Sequence, residues 1–268
     1  MNQRIQEAFR RARAEGRAAL IPYLTAGYPR LDLLPDLVQA VSEAGADIIE
    51  IGIPFSDPLA DGPVLQQAAT VALANGTKIK DIFSVVAQLT PKSPPLVFLT
   101  YINPVFHMGM EVFVTHMREA GVEGVIIPDL PWAEAEEMRT VTRSRGVALI
   151  PLVAPTSTDR HLKAIQHEGD GFVYGVSLTG VTGVRDTLDA GVGDLVRRIK
   201  AAGPLPVAMG FGISTPEQAH TVAQIADGVI VGSALVKHLQ THPETAVQAA
   251  YDFVRDLRNA VKIPISKA

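Results

Sequence analysis

A glutamate interrupts an apolar run in the first quarter of the chain. Residues 48–53 read Ile-Ile-Glu-Ile-Gly-Ile, with Glu50 near the centre. Because successive side chains of a strand point to opposite faces, Ile49, Ile51 and Ile53 share one face and Glu50 lies on the other. Isoleucines suit the outer layer of a sheet beneath helices, so the pattern predicts that Glu50 points to the interior.

A buried carboxyl group in this position has two interpretations. Burial without a partner raises the pKa of a carboxyl group, which suits a residue that gives and takes a proton near neutral pH. The alternative is a structural Glu50 paired with a buried Lys or Arg. No predicted strand contains a lysine or arginine, so we predict that Glu50 is an acid/base group.

Two aspartates follow Glu50 in the loop after the same strand. Asp57 precedes Pro58 and Asp61 precedes Gly62, and both dipeptides are typical of turns. This composition favours a turn role for Asp57. Spacing alone does not separate Asp61 from Asp57, so the pattern leaves the role of Asp61 open between turn former and functional carboxylate.

Three glycine-rich segments follow the last three predicted strands. They are Gly180–Gly183, Gly210–Ser214 and Gly232–Ala234. Glycine lets backbone N–H groups approach a phosphate closely, and a helix that begins near Ser233 would add the favourable partial charge of its N-terminus. Their recurrence after consecutive strands favours a phosphate site over the alternative of tight turns at the rim of the fold.

The histidines and strand tyrosines complete the set of candidate residues. None of the seven histidines shows the spacing of metal ligands, and most fall in helix-like segments typical of a surface. We therefore predict no metal site. Tyr23, Tyr101 and Tyr174 each lie in a predicted strand, where they could line an aromatic pocket, although core packing is the commoner fate of such residues.

These residues need a scaffold, and short apolar runs alternate with amphipathic segments along the whole chain. Most runs are rich in Val, Ile and Leu without strict alternation, which is typical of parallel strands covered on both faces. Eight strands are predicted, at Ala19–Thr25, Ile48–Ile53, Leu96–Tyr101, Val125–Pro128, Ala148–Val153, Phe172–Ser177, Val207–Gly210 and Gly228–Gly232.

Eight such units in series, with no linker, predict an α/β fold of the (β/α)8 TIM barrel type and a single domain over residues 1–268. The main competitor is an open doubly wound sheet, which seldom has eight evenly spaced units. Extra helices are predicted at residues 2–15, where one could plug the N-terminal end of the barrel, at residues 63–74 after strand 2, and after strand 8 up to Gln240. In such a barrel the active site lies at the C-terminal ends of the strands.

Composition restricts the class of protein. The 268 residues are 47% hydrophobic and 19% charged with a formal net charge of −4, which argues against disorder and against nucleic-acid binding. Cysteine is absent, so disulfides, thiol nucleophiles and thiolate metal sites are excluded. No stretch resembles a signal peptide or the ~20 apolar residues of a membrane span, so a cytoplasmic protein is expected.

One long segment and several short motifs carry a family resemblance. The long segment is residues 50–63, and the short motifs are Thr25–Pro29, Asn103–Pro104, Pro128–Pro131, Gly180–Gly183, Gly210–Ser214 and Gly232–Ala234. Over essentially the entire chain these motifs resemble, in order and at similar spacing, those of the tryptophan synthase alpha chain family, whose signature the long segment matches over its whole length.

The resemblance implies a carbon–carbon lyase that cleaves indole-3-glycerol phosphate to indole and glyceraldehyde 3-phosphate in tryptophan biosynthesis. It implies that Glu50 is the acid/base carboxyl and Asp61 the indole-binding carboxylate. The implied substrate-binding residues are Tyr23, Leu99, Tyr101, Tyr174, Thr182 (in a loop that closes onto Asp61) and Phe211. The implied phosphate-binding residues are Gly183, Gly212, Gly232 and Ser233.

The resemblance also implies a partner, the tryptophan synthase beta chain, in an alpha2-beta2 tetramer. Pyridoxal phosphate is expected in that partner and no cofactor in this chain. Direct transfer of indole requires the interface to lie at the active-site end of the barrel. The expected contributors are the loop around Asp57, the loop Asn103–Gly109 with exposed Phe106 and Met108, and Pro128–Pro131. The alternative for Phe106 and for Met108, weighed equally, is burial under the next helix, because apolar residues are usually buried.

Two other functions compete with this interpretation. Another phosphate-binding barrel enzyme, such as indole-glycerol-phosphate synthase or a sugar-phosphate isomerase, would usually carry a catalytic lysine on a strand, and no predicted strand has one. A non-catalytic barrel that activates a partner would be expected to lack Glu50 or Asp61, and both are present.

Overall fold

A computed structural model describes residues 3–89, 93–176, 190–210 and 212–263. Within these ranges the chain forms nine strand segments, all paired in parallel. They are β1 (Ala19–Thr25), β2 (Ile49–Gly52), β3 (Leu96–Leu99), β4 (Val122–Ile126), β5 (Ala148–Leu149), β6 (Leu152–Val153), β7 (Val173–Val176), β8 (Val207–Gly210) and β9 (Gly228–Val231).

Helices follow or flank these strands. They are α1 (Gln3–Ala14), α2 (Leu34–Glu43), α3 (Pro63–Ala74), α4 (Ile79–Val86), α5 (Ile102–Met108), α6 (Met110–Glu119), α7 (Glu136–Ser144), α8 (Asp159–Glu168), α9 (Ala190–Ala202), α10 (Pro216–Ala223), α11 (Ser233–Thr241) and α12 (Ala246–Ala260). Short 3-10 helices lie at Leu31–Leu33, Trp132–Glu134 and Pro243–Thr245. Among the described residues no helix combines the length and apolarity needed to cross a membrane.

The strands close into a barrel. Their order is β5-β4-β3-β2-β1-β9-β8-β7-β6, and only Ile150 and Pro151 separate β5 from β6. The amide of Ile150 donates to Val125 on one side, and the carbonyl of Pro151 accepts from Tyr174 on the other, both at 2.9 Å. β5 and β6 are therefore two parts of the predicted fifth strand, and the (β/α)8 barrel is confirmed over the open sheet.

The apolar residues form two layers. An outer layer between strands and helices includes Ile49 and Ile51. An inner layer inside the barrel includes Ile48, Val97 and Tyr174. This division follows from strand alternation, because neighbours along a strand serve opposite layers.

The predicted N-terminal plug is confirmed. Helix α1 contributes Ile5 and Phe9 to the inner layer, and the rings of Phe9 and Phe172 have centroids 5.5 Å apart. Arg4 of the same helix pairs with Glu123 of β4. We call this closed N-terminal end of the strands the base and the opposite end the mouth.

The predicted fourth strand began too late. It was placed at Val125–Pro128, whereas β4 spans Val122–Ile126. The start of β4 was not recognised in the sequence because Glu123 and Gly124, a charged residue and a glycine, interrupt the apolar run. Glu123 is nevertheless buried, since its carboxylate pairs with Arg4 at the base.

Candidate active site

Glu50 lies inside the barrel as predicted. It occupies the second position of β2 and pairs in register with Tyr23 of β1 and Val97 of β3, both members of the inner layer. Ile49, Ile51 and Ile53 belong to the outer layer. The alternation of the strand therefore directs the carboxyl group toward the interior of the barrel.

The environment of Glu50 favours its protonated form. The residue is 1% exposed, and its Oε2 atom has no hydrogen-bond partner among the residues that the structure describes. Burial, and secondly the charge of Asp61, raises the pKa of Glu50 to about 8. A carboxyl group in this state holds a proton at neutral pH and is able to release it.

Arg17, a buried arginine, pairs with Asp47 and not with Glu50. Arg17 is buried at the base, where its guanidinium binds the carboxylate of Asp47 through two contacts of 2.5 and 2.8 Å. Asp47 also accepts the backbone N–H of Leu20 at 2.9 Å. This pair was not predicted, although a charged residue two positions before each of the first two strands was its signal.

Asp61 and Asp57 have different surroundings. Asp61 is partly buried at the end of the loop between β2 and α3, and burial raises its pKa to about 6 despite the Tyr101 hydroxyl, which lowers it. Asp57 is exposed, its side chain hydrogen-bonds Ser56, and its carbonyl accepts from Leu59 within a turn. The structure thus places Asp61, and not Asp57, with Glu50.

Three tyrosines lie near the two acids, and Leu99 belongs to the inner layer of the barrel. Tyr23, Leu99, Tyr101 and Tyr174 are all buried. Burial, together with the charge of Asp61, raises the pKa of each tyrosine, and Glu50 contributes for Tyr23 and Tyr174. Their hydroxyl groups therefore keep their protons and remain hydrogen-bond donors.

Two glycines make room for the tyrosine hydroxyls. A Cβ atom on Gly52 would lie 1.9 Å from the Tyr23 hydroxyl, and one on Gly210 would lie 2.5 Å from the Tyr174 hydroxyl. Real atoms cannot approach this closely, so each ring lies across a strand position that has no side chain. Thr25, which was not predicted as a site residue, also hydrogen-bonds the Tyr23 hydroxyl at 3.3 Å.

Three of the four predicted phosphate-binding residues, Gly212, Gly232 and Ser233, lie among the described residues. Gly212 follows β8 with φ +76°, a conformation that favours glycine. Gly232 is the N-cap of α11 and Ser233 its first residue, without a side-chain cap. The first-turn N–H groups of α11 lack partners within the helix. Thr182, Gly183 and Phe211 lie outside the described residues.

The rim of the mouth differs from the prediction in one element. Residues Asn103–Gly109 were expected to form a loop, but Ile102–Met108 form helix α5. The carboxylate of Asp129 accepts the backbone N–H of Ile102 at 2.9 Å, which supports the first turn of this helix. Phe106 is 57% exposed as predicted, whereas Met108 is partly buried against the outer core.

The described part of the chain contains no group of three or more His, Asp or Glu side chains arranged to hold a metal ion. The arrangement instead consists of two carboxyl groups with raised and separate pKa values, buried aromatic rings beside them, and an uncapped helix N-terminus. These parts suit acid/base chemistry on a planar, partly apolar molecule that carries an anionic group.

Comparison with known proteins identifies close relatives. A family model described as Tryptophan synthase alpha chain matches residues 9–262. Alpha chains from Synechocystis sp. and Caldanaerobacter subterraneus are 45% and 48% identical over 260 and 237 residues. These alignments cover 96% and 88% of this chain and 98% and 90% of the relatives.

Solved structures agree with the sequence comparison. The crystal structure of tryptophan synthase alpha chain from Legionella pneumophila superposes with a TM-score of 0.90 at 34% identity and covers 100% of both chains. A tryptophan synthase structure from Mycobacterium tuberculosis gives a TM-score of 0.90 at 38% identity, over 97% of this chain and 98% of that chain.

Proposed function

The chain belongs to the tryptophan synthase alpha chain family, and we propose that it cleaves indole-3-glycerol phosphate into indole and glyceraldehyde 3-phosphate. The observation that carries the proposal is the buried carboxyl group of Glu50, whose pKa of about 8 differs from the pKa of about 6 of Asp61. Two carboxyl groups with separate pKa values can perform two different tasks at one pH.

Cleavage of the bond between the indole ring and its side chain is a retro-aldol step. The ring carbon first accepts a proton, and protonated Glu50 is the donor. Positive charge then develops at the ring nitrogen, where ionised Asp61 stabilises it. As the carbon–carbon bond breaks, the adjacent side-chain hydroxyl loses its proton to Glu50, which is thereby restored. The proton balance closes without any external acid or base.

The remaining site residues bind the two halves of the substrate. Tyr23, Leu99, Tyr101 and Phe211 line the indole pocket, and Tyr174 lies beside the reacting side chain. Thr182, which lies outside the described residues, is carried over from the family resemblance as a further substrate-binding residue. Gly183, Gly212, Gly232 and Ser233 contact the phosphate, and the uncapped N-terminus of α11 supports this assignment.

The family also supports a partner. We propose that the mouth binds a tryptophan synthase beta chain, which holds pyridoxal phosphate, in an alpha2-beta2 tetramer. The reaction of this chain needs no cofactor of its own. As a step of amino-acid biosynthesis it suits the cytoplasmic location expected from the sequence.

Two glutamine variants test the proposed reaction. Glu50→Gln keeps the shape of the side chain but removes the group that donates and accepts the proton, so cleavage of indole-3-glycerol phosphate should fall about 10²- to 10⁴-fold. Glu123→Gln is the matched control, because Glu123 is a second buried strand glutamate that lies at the base. Near-normal turnover of Glu50→Gln, or equal losses in both variants, would contradict the assignment.

A wild-type chain that does not cleave the substrate, alone or with a beta chain, would contradict the function itself. The same assay separates the other candidates. A non-catalytic activator would raise the activity of the partner without any cleavage of its own, and another phosphate-binding barrel enzyme would leave indole-3-glycerol phosphate intact in both conditions.

A further inference from the structure

One tyrosine contacts both ends of the loop that carries Asp61. The loop runs from Ile53 to Gly62, between β2 and α3. The ring of Tyr101 stacks on Phe55 near the beginning of the loop, with centroids 5.4 Å apart and planes 29° apart. Its hydroxyl oxygen accepts the backbone N–H of Ala60 at 3.1 Å, near the end of the loop.

Tyr101 has a rigid support that the loop itself lacks. It follows β3, which pairs with both β2 and β4, and it is 2% exposed. By contrast, Ser56, Asp57 and Leu59 in the loop are exposed. A loop with many exposed residues and few buried contacts opens at low free-energy cost unless specific contacts hold it.

We propose that Tyr101 is a positioning residue that clamps this loop and so fixes Asp61 opposite Glu50. The phenol group is suited to the task because it has one acceptor site and one donor. The acceptor is used by the Ala60 amide, and the donor is left for the neighbouring Asp61 carboxylate. The role is additional to lining the indole pocket, and it rests on the proposed function of Asp61.

The electrostatics agree with this geometry. The Tyr101 hydroxyl lowers the pKa of the Asp61 carboxyl, whereas burial raises it to about 6. A donor that hydrogen-bonds the ionised form favours that form. The clamp therefore keeps Asp61 both in place and charged at neutral pH.

The test compares Tyr101→Phe with Phe55→Leu. Tyr101→Phe keeps the stacked ring but removes the hydroxyl, so kcat at pH 7 should fall about 10-fold or more because Asp61 is misplaced. The acid limb of kcat/KM should move about one unit to higher pH, because the pKa of Asp61 rises. Phe55→Leu removes the stacked ring but keeps the hydroxyl, so its acid limb should stay in place.

Amide hydrogen exchange of the full chain gives a readout that does not depend on activity. In both variants the peptide that contains Ala60 should exchange faster than in the wild type, while peptides of β2 and β3 stay protected. Faster exchange shows a loosened loop even if the wild-type chain does not cleave indole-3-glycerol phosphate, so the clamp and the proposed function fail separately.

Three outcomes would overturn the clamp. One is unchanged exchange at Ala60 in Tyr101→Phe. The second is a kcat and an acid limb in Tyr101→Phe that match the wild type. The third is the same shift of the acid limb in both variants, because a general loosening of the loop would then explain the result without the hydroxyl.

Discussion

Glu50 and Asp61 illustrate how burial assigns different tasks to two similar side chains. Burial raises the pKa of both carboxyl groups. For Glu50, which is 1% exposed, the charge of Asp61 raises the pKa further. For Asp61, the Tyr101 hydroxyl lowers the pKa and so offsets part of the effect of burial. The pair therefore loses its first proton near pH 6 and its second near pH 8.

The proposed mechanism needs Asp61 ionised and Glu50 protonated at the start of the reaction. We therefore expect a bell-shaped dependence of kcat/KM on pH, with limbs near pH 6 and pH 8. Steady-state assays between about pH 5 and about pH 9, about one unit beyond each limb, measure it. A profile that rises continuously to high pH would show that Glu50 acts from its ionised form and would exclude it as the initial proton donor.

Glu50 should also make the stability of the fold depend on pH. The pKa of Glu50 rises from 4.5 in the unfolded chain to about 8 in the folded protein. The stability that the neutral side chain allows the fold is therefore fully present below pH 4.5 and is lost progressively as the pH rises from there through 8. Glu50→Gln removes this loss. The variant should therefore gain stability over the wild type between pH 5 and pH 8, by about 2 kcal/mol or more.

Urea unfolding of both proteins at pH 5 and pH 8 measures the difference. The control is the comparison at pH 5, where Glu50 is still neutral in the folded protein and only a small part of the loss has occurred, so the two midpoints should be close. A gain of the same size at both pH values would show that the introduced amide stabilises by packing and that the native carboxyl group is not under electrostatic strain.

At the scale of residues, the sequence predicted which way a side chain points better than which distant residue it contacts. Alternation along the strand correctly turned Glu50 inward, because that depends only on the two-residue period. The roles of Asp57 and Asp61 could not be separated, because the contact that distinguishes them comes from Tyr101, about forty positions further along the chain. No local pattern contains such a contact.

At the scale of elements, the apolar runs located the strands but not all of their ends. The fifth strand is interrupted at Ile150 and Pro151, where proline lacks an N–H for the ladder; the part before the interruption pairs with β4 and the part after it with β7. Residues Asn103–Gly109 are predicted as a loop, whereas helix α5 spans Ile102–Met108 with Pro104 in its first turn, where proline is tolerated. Helix α3, at Pro63–Ala74, agrees with its prediction.

Helix α1 should stabilise the barrel through Phe9. The ring packs against Phe172 in the inner layer at the base, and the residue is 5% exposed. Phe9→Ala leaves a cavity there and should cost about 3–5 kcal/mol of unfolding free energy. Arg10→Ala on the exposed face of the same helix is the control, and it should cost less than about 0.5 kcal/mol. Equal effects in urea unfolding would show that α1 contributes only helix propensity.

Helix α11 should bind the anionic end of the substrate. Its first-turn N–H groups have no partners within the helix, and Gly212 and Gly232 leave the approach free of side chains. In a crystal grown with sulfate or glycerol 3-phosphate, the anion should lie against Gly212, Gly232 and Ser233. An anion that occupies only other positions, with this corner empty, would contradict the assignment.

The anion site can also be tested in solution. Ser233→Asp introduces a negative charge at the same helix N-terminus and should raise KM for the phosphorylated substrate at least about 10-fold, with a smaller effect on kcat. Thr241→Asp, at the last residue of the same helix, is the control. A KM that is unchanged in Ser233→Asp would move the phosphate away from α11.

At the scale of the whole molecule, the two ends of the barrel have different surfaces. The base is closed by α1 and by the buried pair of Arg17 and Asp47. The mouth carries exposed apolar side chains, with Leu59 at 91% and Phe106 at 57% exposure. The single domain expected over residues 1–268 stays a prediction, and one cooperative unfolding transition detected alike by fluorescence and circular dichroism would support it.

The apolar rim of the mouth is the surface on which the proposed partner should bind. Phe55 and Phe106 line one groove of about 650 Å³ with Asn103, Pro104 and His107. Apolar residues that stay exposed around a functional opening are typical of an interface. Asp129 is a poor probe of it, because charge reversal there would also remove the hydrogen bond to Ile102 that supports α5.

Leu59→Ser and Phe106→Ser are cleaner probes, because neither side chain is needed to fill the core. Each should weaken binding to a cognate beta chain at least about 10-fold by titration calorimetry, since an apolar anchor is lost from the interface. Each should also reduce any activation of cleavage by that partner, because docking would favour the arrangement of the loop that holds Asp61.

Ile225→Ser is the control, since Ile225 is 37% exposed and precedes β9 at the base. Wild-type affinity in both mouth variants, or an equal loss in the Ile225 variant, would place the interface elsewhere and remove the proposed coupling between docking and catalysis.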